Sequence, residues 1–175
     1  LMSFLYAFWQ HFSSDILPIH ECRKSDSLTQ AIQYMRGAAF LEPQTNWISP
    51  MGNRNAAAEF PIVYYIIGQI WKLTGYQLWL TKLFSLGLLM TAIISLRHFL
   101  LWFFESKQKV LVFSGIIFSA PVLIYYADTV LPNIYAFSFL LIAINACFSY
   151  LQTKSKWSYL AVTIFLSLAI LIKVT

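Results

Sequence analysis

Four long apolar runs, residues 78–104, 110–126, 134–151 and 157–174, restrict how this chain can fold more than any other feature. Each is long enough to cross about 30 Å of hydrocarbon. In that medium every backbone N–H and C=O must find a partner within the protein, and an α-helix meets the demand within one segment. Only 11% of the residues are charged and 59% are hydrophobic, far from the balance of a soluble domain.

The opening run, residues 1–19, is too short for a full span and reads as the tail of a further one, which brings the expected number to five. Neither a cationic leader nor a small-residue cleavage site marks it as a signal peptide. With apolar runs at both ends, the 175 residues are expected to be one integral-membrane domain cut at both ends. The fold class expected is all-α, a polytopic membrane helix bundle whose large extracytoplasmic first loop carries amphipathic juxtamembrane helices.

That loop covers residues 20–58. Within it Leu28, Ala31, Ile32, Met35 and Ala39 recur at helical spacing, and Ser27 with Gln30 predicts a capping box at the helix start. Residues 60–75 hold about 14 mostly apolar positions between Pro61 and Gly75, too few to span, and predict a juxtamembrane helix. The positive-inside rule groups Arg97, Lys107, Lys109, Lys154 and Lys156 on the cytoplasmic side. The first loop, the 127–133 turn and Lys173 then share the outer face, with six of the seven acids; only Glu105 lies inside. Were residues 60–75 to cross, the basic residues would regroup almost as well.

The net charge of +5 is spread among aliphatic segments and points to loop orientation, with no nucleic-acid partner. Cys22 and Cys147 lack metal-ligand spacing, and there is no zinc motif, phosphate-binding glycine loop or nucleophile elbow. Chemistry therefore rests on isolated charges. Asp26, in "RKSDS", reads as an acid near a helix start, or as a carboxylate that Arg23 and Lys24 keep ionised to accept a proton or metal. Glu59 in "AAAEFP" is either a first-turn acid or part of the same site. Lys82 and Lys173 sit within or at the ends of apolar runs, where a charge either serves function or snorkels to the interface. Asp128 and Asn133 flank Pro132 and fit turn chemistry. Trp47, Tyr64, Tyr65, Trp71, Tyr125 and Tyr126 read as interfacial aromatic belts.

The order "RKSDS", "FLEPQTNW", "EFPIVYYIIGQIWKLTG", a basic residue entering a span, "YYADTVLPNIYAF" and "LAILIKVT" resembles the N-terminal third of bacterial GT-C glycosyltransferases of the protein O-mannosyltransferase and aminoarabinose-transferase type. The resemblance implies a bacterial inner-membrane enzyme that uses a polyprenyl-phosphate sugar donor at the extracytoplasmic face. Its acceptor would be a protein, lipid or glycan. Asp26 is then the catalytic base, with Arg23, Glu59, Lys82, Asn133 and Lys173 binding substrate. Glu59 is also the implied ligand of a divalent metal, and Lys173 stands where a lysine motif lies near the donor phosphate. Similar enzymes carry a second acid after the turn proline, whereas this chain has Asn133. Two rival classes are a transporter or flippase with Lys82, Asp128 and Lys173 along its path, and a noncatalytic membrane subunit.

Overall fold

The computed structural model describes residues 21–43, 59–127 and 129–173. The opening run, Trp47 and Asp128 lie outside them. The described residues form seven helices: α1 (Glu21–Met35), α2 (Ile62–Thr74), α3 (Leu78–Leu100), α4 (Lys107–Phe118), α5 (Pro121–Ala127), α6 (Pro132–Thr153) and α7 (Lys156–Ile172).

Two of these, α3 and α6, are long and apolar enough to cross a membrane. Their 23 and 22 residues run about 34 and 33 Å at 1.5 Å per residue. The α4 and α5 pair passes the same test as one segment, but bends by 62° at its break. Where the sequence suggests one continuous run over 110–126, Pro121 supplies the reason for two helices. Proline has no N–H to donate to Ile117, and its ring collides with the carbonyl four residues back. The 17 residues of the apolar helix α7 reach about 26 Å, less than the hydrocarbon thickness. The described residues are thus all-α, with two helices of membrane-crossing length, or three if the bent pair is one span. Large apolar side chains such as Leu111, Ile116, Ile164 and Ile170 remain exposed on α4 and α7. Water does not favour so much exposed apolar surface, and lipid does.

Ser85 meets Tyr135 near the start of α3 and α6, and Phe99 meets Phe148 near their ends, so the two helices run parallel. The bent α4–α5 segment carries the chain back between them. Lys154 in the left-handed region (φ 53°) turns α6 directly into α7. The resulting antiparallel pair is registered by Ser149 against Ser158, Phe139 stacked on Phe165, and Asn133 against Lys173. Arg97, Lys107, Lys109, Lys154 and Lys156 all fall at the end of the bundle where α3 and α6 finish.

At the opposite end α1 packs on α2. Leu28, Ala31 and Tyr34 form the buried face of α1, and Val63, Tyr64, Ile67 and Trp71 that of α2. These side chains share one apolar core with Leu89, Ile134, Tyr135 and Ile172. The Phe60 N–H donates to the Leu171 carbonyl at 3.4 Å, tying the start of α2 to the end of α7. A Schellman turn ends α1: Ala38 donates to Gln33, Gly37 to Tyr34, and Gly37 takes φ 98°, which glycine adopts without strain. The expected capping box is not formed, because Ser27 lies inside α1, where its side chain bonds a neighbouring helix.

Close approach of α1 and α2 depends on Gly68. A Cβ there would lie 2.6 Å from the Tyr34 Cβ and 2.7 Å from the Ala31 carbonyl oxygen. Gly68→Ala is expected to cost about 1–3 kcal/mol, the usual penalty of overpacking. Gly87→Ala on α3, with open space around it, is expected to be neutral or stabilising by up to about 1 kcal/mol. Thermal unfolding of the full-length protein in detergent, followed by circular dichroism, measures both; equal midpoints for the two variants would contradict the close packing.

Candidate functional site

Helix α1 presents polar residues at the spacing of its apolar face: Lys24, Ser27, Gln30 and Tyr34 are all buried. The next turn of chain in space comes from the segment leading into α2. Arg23 forms an ion pair with Glu59, thirty-six residues away. Tyr64 donates to the Glu59 Oε2 at 3.1 Å and accepts from the Ser27 Oγ at 3.1 Å. A continuous hydrogen-bonded chain, Ser27 to Tyr64 to Glu59 to Arg23, therefore runs from the core to the surface. Arg23 is 46% exposed and Glu59 only 10%.

The electrostatics follow that gradient. The Glu59 hydrogen bond raises the Arg23 guanidinium above its ordinary value, against the opposing effect of partial burial. Burial, then the Glu59 charge, pushes the Tyr64 phenol well up, while the Ser27 hydrogen bond pulls it back slightly. Beside this chain the Lys24 ammonium lies 5.1 Å from the centre of the Tyr125 ring, within cation–π range. Tyr125 in turn meets Tyr126 edge-on. The residues just before the 127–133 turn thus come back against α1.

Asp26 lies on α1 three residues beyond Arg23 and is half-buried. Since α1 already covers Glu21–Met35, Asp26 is more than a turn into it. The reading of Asp26 as a helix-start acid is corrected accordingly, because the dipole effect fades within the first turn. Lys82 is buried one turn into α3, next to Thr81 and one turn from Ser85, whose hydroxyl lies 2.8 Å from that of Tyr135. Lys173 donates to the Asn133 Oδ1 at 2.8 Å at the mouth of the α6–α7 pair. The structure thus joins Arg23 with Glu59 and Lys173 with Asn133 as two separate contacts.

The donor set does not suit a metal. Both Glu59 oxygens are engaged, one by a cation and one by a phenol, so an incoming cation would have to displace Arg23 or Tyr64. Among the described residues no three His, Cys, Asp or Glu side chains gather closely enough to hold an ion. Sequence reasoning passed over Ser27 and Tyr64, which it read as a cap and as part of an aromatic belt. Ser27 and Lys24 falling at the spacing of the apolar stripe was the available signal.

Tyr64→Phe removes both the Glu59 and the Ser27 contacts and is expected to cost about 1–3 kcal/mol, since buried partners lose their hydrogen bonds. Burial also raises the Tyr34 phenol to about 12. Folded Tyr34 and Tyr64 keep protons that the unfolded chain releases near pH 10. Stability is therefore expected to be flat below about pH 10 and to fall as pH rises above it, less steeply in Tyr64→Phe. Melting temperatures of the two proteins across pH 8–11.5 (roughly spanning the ordinary tyrosine value) test this, and parallel curves would contradict it. No family model, curated protein or solved structure matches the chain.

Proposed function

We propose that this chain belongs to a polytopic glycosyltransferase of the bacterial inner membrane. It moves a sugar from a polyprenyl-phosphate donor to a protein, lipid or glycan acceptor at the extracytoplasmic face. The observation that carries this reading is the Arg23–Glu59 pair. It joins "RKSDS" to "EFP", the two segments whose order first suggested such an enzyme, at the end of the bundle that also holds Lys82 and Lys173. The cluster of Arg97, Lys107, Lys109, Lys154 and Lys156 at the other end fits the cytoplasmic side.

In the proposed reaction Asp26 accepts the proton of the acceptor hydroxyl. The hydroxyl oxygen attacks the anomeric carbon from the face opposite the phosphate. The bond from that carbon to the phosphate oxygen breaks, and its electron pair leaves with the lipid phosphate. Configuration inverts. Lys82 and Lys173 stabilise the negative charge on the leaving group. Glu59 serves as an anchor for Arg23, because both its oxygens are committed, and the base is Asp26, the residue that the resemblance implies. Asn133, which stands where similar enzymes carry an acid, holds Lys173 in place.

A second reading, translocation of a lipid or sugar, draws on one observation. Lys82, Thr81 and Ser85 on α3 and Ser138 on α6 are buried polar groups on helices of membrane-crossing length, as a transport path has. Turnover separates the two. Full-length protein in lipid vesicles, supplied with polyprenyl-phosphate sugar and an acceptor panel, is expected to release lipid phosphate. Asp26→Asn is expected to slow release by about 10²–10⁴-fold, the range of general-base catalysis, and Glu42→Gln, at an exposed position, to leave it unchanged. Equal rates for wild type and Asp26→Asn would remove Asp26 as base. Donor movement across the bilayer without sugar transfer would support transport.

A further inference from the structure

An open groove of about 360 Å³ lies along the α6–α7 pair. Its volume falls within the roughly 300–1,000 Å³ of small-molecule sites. Phe137, Leu140, Leu166 and Ile170 form its walls, and the small side chains of Ala136 and Ala169 lie on its floor. Leu140, Leu166 and Ile170 are exposed, so the groove opens outward from the helix pair. Among the described residues, its only polar lining residues are Asn133 and Lys173, paired with each other at one end.

We propose that this groove seats one hydrocarbon chain of an anionic membrane phospholipid whose phosphate lies against Lys173. An ammonium group carries three donors, and Asn133 takes one. Among the described residues no carboxylate pairs with Lys173, which leaves its charge for an outside anion. Polarity thus changes along the groove as it does along a lipid, from a cationic end to a purely apolar one. Length selects the occupant. From Asn133 to Leu140, and from Lys173 back to Leu166, the groove follows seven residues of helix, about 10 Å. One leaflet contributes about 15 Å of hydrocarbon, half of the bilayer core. The groove therefore suits the upper part of a leaflet lipid chain, whereas a long polyprenyl tail would mostly overhang it.

The proposal draws on the same Lys173 that the transferase reading sets at the leaving phosphate, so the two compete for that cation; occupancy is measured without turnover, which keeps the failure of one distinguishable from the failure of the other. Native mass spectrometry of the full-length protein, titrated in detergent with phosphatidylglycerol or phosphatidylcholine, counts retained lipids. Phosphatidylglycerol is expected to bind more tightly, and Lys173→Gln to weaken it by about fivefold, the factor for one cation near an anionic lipid. Ile170→Trp, at an exposed position on the groove wall, fills the groove without touching the packed interface and is expected to abolish the retained lipid. Equal binding of both lipids by wild type and Lys173→Gln would overturn the proposal. So would unchanged binding by Ile170→Trp, or displacement of the bound lipid by polyprenyl phosphate but not by excess phosphatidylglycerol.

Discussion

The buried contact between the Ser85 and Tyr135 hydroxyls sets the register of α3 on α6, and much else follows from it. A single hydrogen bond between apolar helices contributes modestly, on average about 0.6 kcal/mol. Its larger effect is geometric, because sliding either helix by one turn would separate the two hydroxyls. With α3 and α6 parallel, the connecting segment has to travel the whole length of the bundle. The break at Pro121 lets that segment bend on arrival, and so brings Tyr125 over Lys24. The α1–α2 pair then rests on a platform made by the ends of α5, α6 and α7.

On that platform the polar chain from Ser27 to Arg23 combines two kinds of contact. The outer ion pair is exposed on the Arg23 side, and such pairs contribute about 1 kcal/mol or less. The inner part is different. Ser27 and Tyr64 are buried, so losing either partner leaves an unmet hydrogen-bonding group in the core. Gly68 allows this arrangement by bringing the two backbones close enough for side chains on both helices to meet. Rigid placement of Arg23 and Glu59 is therefore a product of core packing more than of their own attraction.

Helical content and the two long apolar helices were legible from run length and periodicity alone. The apolar stripe of Leu28, Ala31 and Met35 likewise announced α1, and the shortness of residues 60–75 announced α2 as a helix too brief to span. Less was legible where one residue has two uses. Ser27 is a good N-cap by type, and its pairing with Tyr64 depends on a crossing angle that one strand of sequence does not encode. Pro121 was visible, yet its effect within an apolar run depends on whether neighbours replace the missing hydrogen bond. The link between Arg23 and Glu59 spans thirty-six residues and is set by tertiary packing, which motif order could suggest but not measure.

Connectivity gives α3 and α7 different histories during synthesis. Two residues, Lys154 and Ser155, separate α6 from α7, so that hairpin closes at small entropic cost almost as soon as it is made. Tyr135, by contrast, follows Ser85 by fifty residues. Until that much more chain has emerged, the Ser85 hydroxyl can turn back on the Thr81 carbonyl of its own helix, a bond the finished structure retains at 3.1 Å. That internal bond lets a polar residue on an apolar helix wait for its partner.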